Sequence, residues 1–412
     1  MESNTILFII IFILFFDYLL NSVLSFLNYK SLSEPVPKEL SSIYKESDYQ
    51  KSQDYNKSIY WFSLISSSFS FLILILIFKY ELLGKLDYAL RSFSIENEIS
   101  LSLLFFGSIY FINETLTTPF QLYRNFVIEE KFGFNKMNLK TFFLDKIKTY
   151  FLVIIVGGLL ISILLISIIY FSNSFWIYFW IIMSLFTVFI NLFYTSLILP
   201  IFNKLKPLED GSLKDKIYNY AKSVNFPLSN IFVIDGSKRS SKANAFFSGL
   251  GKSKKIVLYD TLIENHTEEE LVSILAHEVG HYKNNHILSN LILSILFTGF
   301  MLFVLSKFLF NSEISFALGG EISFRHFELF AFSILYSPIS YILGIFMNIK
   351  SRKNEYEADN FAVKTFDKIH LINALKNLSK DNLVNLTPNP VYVFVNFSHP
   401  TMHQRIKAMT HI

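Results

Sequence analysis

The sequence predicts a predominantly α-helical, polytopic membrane protein that also carries a sizeable soluble part. Among its 412 residues, 52% are hydrophobic and only 17% are charged, which is typical of chains that cross a bilayer several times. Seven apolar stretches each reach the roughly 20 residues that one span requires. The predicted spans are Asn4–Leu27, Ser58–Phe78, Ile99–Phe120, Tyr150–Phe171, Phe175–Phe202, Leu288–Lys307 and Phe327–Asn348.

Basic residues are distributed unequally between the two sides that these spans define. The loops after the first, third and fifth spans and the C-terminal tail hold 32 of the 37 Lys and Arg residues, and the opposite side holds 5. Cytoplasmic loops of membrane proteins carry an excess of Lys and Arg. We therefore expect the N-terminus outside, and the long fifth loop and the tail in the cytoplasm.

Composition also excludes several functions. The net charge of +4 is small and gives no indication of nucleic-acid binding. The chain has no cysteine, which excludes disulfides, thiolate metal sites and a cysteine nucleophile. Any transition-metal site must therefore use His, Asp or Glu. The first apolar stretch is too long for a signal peptide, and we expect it to be a retained span.

Polar residues lie inside the first, third and fifth predicted spans. Such residues usually face the interior of the protein or a wet cavity rather than lipid. Two interpretations remain open: hydrogen bonds between helices, or the lining of a water-filled chamber. The residues are Asp17, Asn21, Asn113, Glu114 and Asn191.

An HExxH motif lies in the fifth loop, within Thr267–His286, a stretch that begins with a capping-box pattern and reads as helix. Positions i and i+4 share one helix face, so His277 and His281 can reach one ion. A catalytic Zn²⁺ takes three protein ligands and keeps one position open. Glu278 would then lie beside the metal as general base. The motif alone also fits two surface histidines, so a third ligand has to decide.

Candidates for that ligand follow the last span. Glu355 and Asp359 are also separated by four residues, and we predict Glu355 as the third zinc ligand and Asp359 as the acceptor that orients a ligand imidazole. A solvated acidic face is the alternative. In the tail, His399 and Arg405 can add a donor or cationic group to the site. We expect His286, five residues after His281, to pack or cap the helix end.

The rest of the fifth loop reads as a small α/β unit. We predict a helix at Leu213–Val224 and strands at Ile231–Asp235 and Ile256–Tyr259. The stretch between the two strands contains an apolar part that forms either an edge strand, able to pair with an extended peptide, or one arm of a plain β-hairpin. The expected domains are 1–202 with five transmembrane helices and cytoplasmic loops, 203–287 with the soluble part and HExxH helix, 288–348 with two transmembrane helices, and 349–412 with the cytoplasmic third-ligand part.

Five motifs together resemble the type I CAAX prenyl endopeptidases, seven-span integral-membrane zinc proteases. The resemblance covers nearly the whole chain. The motifs are FVIEEKFGFN at 126–135, GSKRSSKANAFFSG at 236–249, HEVGHYKNNH at 277–286, EYEAD at 355–359 and SHPTMHQR at 398–405.

This resemblance implies seven helices around a large chamber, with a zincin-like cytoplasmic metalloprotease domain. It implies one Zn²⁺ per chain held by His277, His281 and Glu355, with Glu278 as base. It further implies removal of the last three residues of prenylated CAAX proteins, and a peptide or lipidated protein substrate that lies along Asn244, Ala245 and Phe246. Membrane lipid is the other expected partner, and no nucleic acid is expected.

The chain departs from the family at its C-terminal end. Ala408–Ile412 contains neither a KDEL-type signal nor lysines placed for dilysine retrieval, and high use of Ile, Phe, Lys and Asn is typical of an AT-rich genome. We therefore expect either a bacterial inner membrane or the endoplasmic reticulum membrane, and the departure puts a prenylated substrate in question.

Three other functions would share some of these sequence features. An HtpX-type quality-control protease shares the metal motif but is shorter and has fewer spans. A site-2-type intramembrane protease would place HExxH within an apolar span, whereas here it lies in a charged helix. A non-catalytic membrane chamber would not need the intact set of His277, Glu278 and Glu355.

The loop charges predict that the two ends of the chain lie on opposite sides of the membrane. Because the protein has no cysteine, Ser3→Cys and His411→Cys each introduce a single thiol. An impermeant maleimide should label Ser3→Cys from outside intact cells, and His411→Cys only after the membrane is opened. Labelling of both from the same face would refute an odd number of spans.

Overall fold

Helices make up most of the structure, a computed structural model that describes residues 2–36, 40, 45–95, 97–248 and 254–411. The N-terminal half contains nine α-helices within these ranges, interrupted by π-helical turns at Arg124–Glu129, Val153–Gly157 and Tyr194–Ile198 and a 3₁₀ turn at Ser172–Ser174. The helices are α1 (Ser3–Ser31), α2 (Glu46–Lys79), α3 (Leu82–Arg91), α4 (Glu98–Tyr123), α5 (Glu130–Phe132), α6 (Leu139–Leu152), α7 (Gly158–Phe171), α8 (Phe175–Phe193) and α9 (Leu199–Phe202).

A small sheet and further helices complete the chain. The sheet belongs to the fifth loop, and the helices that follow it return to the membrane and then to the soluble side. The elements are β1 (Leu205–Pro207), α10 (Ser212–Ser223), β2 (Leu228–Ile234), β3 (Ala245–Ser248), β4 (Lys254–Tyr259), α11 (Asp260–Asn265), α12 (Glu268–Lys283), α13 (His286–Phe308), α14 (Ser312–Ala317), α15 (Arg325–Leu335), α16 (Ser337–Thr365), α17 (Lys368–Asp381), α18 (Pro390–Asn396) and α19 (Met402–Thr410), with a 3₁₀ turn at Gly236–Lys238.

Five helical stretches of the described chain are long and apolar enough to cross a membrane, and a sixth follows if the bent pair α15 and α16 is one span. One of the five, Leu139–Phe202, is 64 residues long. It reverses at Ser172, where φ is 45°, and Lys148 Nζ donates a hydrogen bond to the carbonyl oxygen of Ile201 at 2.7 Å. Counting this hairpin as two legs gives seven spans, which is consistent with the predicted number.

The last span is not one straight helix. α15 and α16 meet at an angle of 46°, and the break at Tyr336 lies two residues before Pro338. Proline lacks an N–H group and is tolerated in the first turn of a helix but not in its interior. α16 then continues without a break from the apolar region to Thr365, so one rigid helix joins the membrane to the soluble side.

Few residues of the spans are buried within the protein itself. In the most apolar part of each candidate span, between 6% and 17% of the residues are buried, so most of this surface faces lipid or a space between the helices. Asp17 and Asn21 line a cavity of about 450 Å³ between α1 and α2. Glu114 instead forms an ion pair with Lys146 of α6 at 2.6 Å, which agrees with bonding between helices.

The sheet has four strands in the order β1-β2-β4-β3. The helix and the two strands predicted in this loop are present as α10, β2 and β4. β2 and β4 are parallel. β3, the apolar stretch between them, pairs antiparallel with the strand that follows it, β4, and also lies at the edge of the sheet. The two interpretations of this stretch therefore do not exclude each other, since β3 is both an edge strand and one arm of an antiparallel pair.

The soluble unit is built from two separate parts of the chain. Leu271 and Val279 of α12 share one hydrophobic core with Ala362, Leu371 and Met409, which all follow the last span. The chain therefore leaves the unit for two spans and returns to complete its core.

α12 and α16 pack closely at one glycine. A Cβ atom added to Gly280 would lie 2.9 Å from both Cα and the carbonyl oxygen of Ala358. Because backbone cannot move as a side chain can, this position tolerates only glycine at the observed helix separation. The contact lies next to His281 and within one turn of Glu355.

We expect Gly280→Ala to force α12 away from α16 and to destabilise the protein by about 1–3 kcal/mol. The same shift should separate the HExxH face from Glu355 and lower zinc retention. Thermal unfolding in detergent and metal analysis measure the two effects. Gly107→Ala, where the added Cβ meets nothing within 4 Å, is the matched control and should keep both values. Wild-type stability and metal content in Gly280→Ala would contradict this account.

Candidate active site

The HExxH segment is held on a well-capped helix. Thr267 and Glu270 form the reciprocal capping box that the sequence predicted, and α12 runs without interruption from Glu268 to Lys283. Most of the helix is buried in the soluble core, including His277, which is 8% exposed. The Nε2 atoms of His277 and His281 lie 3.2 Å apart, so the two imidazoles converge on one point.

Glu355 of α16 completes this cluster. Its carboxylate oxygens lie 3.4 Å from His277 Nε2 and 3.2 Å from His281 Nε2. Among the described residues these three side chains form a group of possible metal ligands with all ligand atoms within 4.8 Å of one another.

The three side chains fit a tetrahedral metal ion. Ligand atoms bound about 2.0–2.1 Å from a tetrahedral Zn²⁺ are separated by roughly 3.3 Å, and the two Nε2 atoms are 3.2 Å apart. Glu355 faces them with both oxygens, with Oε2 3.4 Å from His277 Nε2 and Oε1 3.2 Å from His281 Nε2. Glu355 Oε2 is buried and has no hydrogen-bond partner in the described part of the chain. A group of lone pairs that converges in this way is suited to a cation, since a buried acceptor left without a partner is costly.

His277 is held from its other side. Its Nδ1 lies 2.8 Å from Asp359 Oδ1, so its Nδ1–H donates to that carboxylate. Arg405 donates from Nε and Nη2 to the same carboxylate at 2.8 and 2.6 Å. Asp359 is 1% exposed and Arg405 is 8% exposed. The pair therefore fixes the ring of His277 with its Nε2 facing the cluster.

Arg405 lies at the site, where the sequence suggested that it adds a donor or cationic group. The structure shows which carboxylates it contacts. It lies near the start of α19. Two of its three guanidinium nitrogens donate hydrogen bonds to Asp359, and the third, Nη1, lies 3.5 Å from Glu355 Oε2. Sequence spacing gave no sign of this, because Asp359 and Arg405 are 46 residues apart and meet only in the folded core.

Glu278 borders the open side of the cluster. It lines a cavity of about 530 Å³ together with His277, His281 and Glu355. Desolvation in this enclosed position raises the pKa of its carboxyl group above the ordinary value. A carboxylate with a raised pKa is suited to accept a proton and return it.

His399 reaches the same cavity from the tail. Its Nε2 lies 3.3 Å from Glu355 Oε1, and its side chain is 62% exposed. Ser398 Oγ lies 3.0 Å from His399 Nδ1. The imidazole is therefore next to the metal cluster, and an exposed side chain in this place is free to turn toward a bound molecule.

The edge strand lies along the cavity. Asn244, Ala245 and Phe246 all line it, together with the residues on either side of them. On its other edge β3 is paired with β4 from Ala245 onward. The tertiary structure thus brings together every site residue that the sequence proposed.

The structure adds two polar residues, His286 and Glu357, to the surroundings of the cluster. The sequence did not predict either of them as part of the site. His286 was expected to pack or cap the helix end, and Glu357 had no assigned role. His286 Nδ1 lies 3.0 Å from His281 Nδ1, and His286 Nε2 lies 2.9 Å from Glu357 Oε2. His286 is buried, as expected for packing at the helix end. Its contact with His281 was not expected from the sequence, because Asn285, at φ 56°, redirects the chain between α12 and α13.

Comparison with known proteins agrees with this geometry. The model of the CAAX prenyl protease N-terminal family, five membrane helices, matches residues 25–204, and that of peptidase family M48 matches residues 207–412. The chain belongs to peptidase family M48. Family membership makes it a metalloendopeptidase, and the N-terminal match and the apolar helices make it a multi-pass membrane protein.

Relatives within the family match most of the chain. Probable CAAX prenyl protease 1 of Schizosaccharomyces pombe is 37% identical, over 92% of this chain and 82% of the relative. CAAX prenyl protease 1 of Saccharomyces cerevisiae is 32% identical, over 95% and 92%. The crystal structure of S. mikatae Ste24p is similar with a TM-score of 0.93 and 32% identity, over 98% of this chain and 99% of that chain.

Proposed function

We propose that this chain is a zinc endopeptidase that removes the C-terminal tripeptide of prenylated CAAX proteins or cleaves other membrane-associated peptides. One Zn²⁺ per chain is held by His277, His281 and Glu355. The observation that carries the proposal is the convergence of these three side chains, with Glu278 beside them, on a cavity bordered by an edge strand. The names of the relatives supply the substrate class.

When bound, zinc supplies Lewis acidity, which activates water and polarises a carbonyl group. Glu278 is the base that takes a proton from the attacking water, and it then returns that proton to the leaving amine. Its raised pKa favours both transfers. Asp359 and Arg405 do not touch the substrate in this scheme, since they hold the ring of His277 in one orientation.

His399 supplies a donor that the rest of the site lacks. Hydrolysis of a peptide passes through a tetrahedral oxyanion that needs hydrogen-bond donors. Glu278 and Glu355 are acceptors, and Arg405 is largely committed to Asp359. The exposed imidazole of His399, beside the cluster, is free to turn and donate to that oxygen.

The substrate lies on β3 in an extended conformation. An edge strand offers backbone donors and acceptors to a peptide that adds to the sheet, and Asn244, Ala245 and Phe246 present this edge to the cavity. A backbone lying there passes Glu278 and His399. Because most of the surface of the spans faces lipid or a space between the helices, a lipid group attached to the peptide can remain in the apolar region among them.

The alternatives receive less support. An HtpX-type protease does not account for the match to the five-helix CAAX protease N-terminal family over residues 25–204. A non-catalytic chamber does not require a converging ligand set. The relatives reported above are yeast proteins, which favours the endoplasmic reticulum over a bacterial inner membrane. The loop charges favour an active site toward the cytoplasm.

The function is tested with purified protein and two peptides, a farnesylated CAAX peptide and its unprenylated twin. We expect zinc-dependent release of the C-terminal tripeptide from the farnesylated peptide. Glu278→Gln should retain zinc and fold while losing about 10²–10⁴-fold in kcat, because the base is removed. Equal cleavage of both peptides would remove prenyl recognition from the proposal, and near-normal turnover by Glu278→Gln would exclude Glu278 as the base.

His399→Ala should lower kcat by about 10²–10³-fold, the typical cost of a lost oxyanion donor. Zinc content and KM should remain nearly unchanged, because the donor acts on the transition state. His403→Ala, four residues further along the same tail, is the matched control and should be close to neutral. An effect of His399→Ala on KM alone, or an equal loss in His403→Ala, would contradict the oxyanion role.

A further inference from the structure

The two histidines of the HExxH motif are supported in different ways. His277 donates directly to a carboxylate, Asp359, at 2.8 Å. Among the residues that the structure describes, none places a carboxylate at His281 Nδ1. Its Nδ1 faces the Nδ1 of His286 at 3.0 Å, and the far nitrogen of His286 lies 2.9 Å from Glu357 Oε2.

Only one arrangement of protons satisfies this chain of contacts when the imidazoles are neutral. His281 Nε2 faces His277 and Glu355, so its lone pair is the one available to a metal, and its proton must be on Nδ1. That N–H can donate only if His286 Nδ1 is an acceptor. His286 then carries its proton on Nε2, which points at the carboxylate of Glu357. In this arrangement both nitrogens of His286 and the Nδ1 of His281 each have a hydrogen-bond partner.

We propose that Glu357 and His286 form a relay that positions His281 as a metal ligand. The proposal rests on the metal site proposed above and assigns two residues to it. The carboxylate fixes the tautomer of His286, and His286 fixes the tautomer and ring orientation of His281. His286 replaces, on this side of the site, the direct carboxylate contact that His277 has on the other.

The geometry explains why a second imidazole is used here. Glu357 lies two residues after Glu355 on α16, so its side chain leaves the helix on a different face and cannot reach the HExxH cluster directly. His286 is 4% exposed and lies at the start of α13, directly after the turn at Asn285. It therefore fills the gap between α12 and α16 on the side opposite Asp359.

Glu357 is only partly buried, and its second carboxylate oxygen contacts a lysine on the same helix. Its side chain is 43% exposed, and Lys353 Nζ lies 3.7 Å from its other oxygen, Oε1. Exposed ion pairs of this kind contribute little. Removing Lys353 therefore leaves the bond between Glu357 Oε2 and His286 in place and provides a matched control on the same helix.

The test measures zinc affinity of the full-length protein in detergent, by competition with a chelator. Loss of an outer partner of a metal-bound histidine typically weakens metal binding by about 10–100-fold, and we expect His286→Phe, which keeps ring volume but removes both nitrogens, to fall in that range. Glu357→Ala should be weaker than wild type in the same direction. His286→Asn, which keeps an acceptor near Nδ1, should lose less than His286→Phe.

Two reference variants and two contradicting outcomes complete the test. His277→Ala sets the value expected when a direct ligand is lost, and Lys353→Ala should match wild type. A wild-type protein that binds no zinc would overturn both the proposed metal site and the relay. A wild type that binds zinc, with His286→Phe and Glu357→Ala within twofold of it, would overturn the relay alone. If His286→Phe does not fold, Glu357→Ala decides, because that side chain is half exposed and its removal leaves the core intact.

Discussion

The contact between α12 and α16 at Gly280 and Ala358 is the constraint on which the site depends. The two helices approach until a single Cβ atom would collide with backbone. His281 is the next residue after Gly280, and Glu355 lies three residues before Ala358, so the contact sets the distance between the two parts of the ligand set. His281 and Glu355 are more than 70 positions apart in the sequence, and this contact brings them together because each lies within one turn of it on its own helix.

The ligand cluster and its surroundings contain more negative than positive side chains. Three carboxylates, those of Glu278, Glu355 and Asp359, face one guanidinium, that of Arg405. In the proposed metal site, where the ligand imidazoles are neutral, the excess of two negative charges would be unfavourable unless it were compensated, and a divalent cation would compensate it. The bidentate bond between Arg405 and Asp359 keeps the outer carboxylate from competing with Glu355 for the cation.

The membrane helices take part in positioning the edge strand. Arg239 forms a two-point ion pair with Asp145 of α6 at 2.7 and 3.0 Å. Lys242, three residues before β3, donates to Glu129 and to Tyr55 at 3.0 and 2.9 Å. These contacts tie the segment that leads into β3 to the ends of the second, third and fourth spans. The edge of the sheet that borders the cavity is thus anchored to the membrane helices.

The sequence by itself determined what depends on local spacing. Apolar length gave the spans, and helical periodicity placed His277 with His281 and Glu355 with Asp359, because i and i+4 share a face wherever a helix forms. Turn and strand patterns predicted α10, β2 and β4. They left the edge position of β3 open and did not show that β2 and β4 are parallel.

Only the tertiary structure decided which faces meet. Helical spacing describes contacts within one element, and it says nothing of contacts that depend on how separate elements pack. The pairing of Arg405 with Asp359 arises where α19 packs into the soluble core. The approach of His286 to His281 arises because Asn285 adopts a left-handed conformation and redirects the chain, which invalidates any count along the helix. The ring orientations at the metal cluster follow from these long-range contacts, and no pattern in the linear sequence contains them.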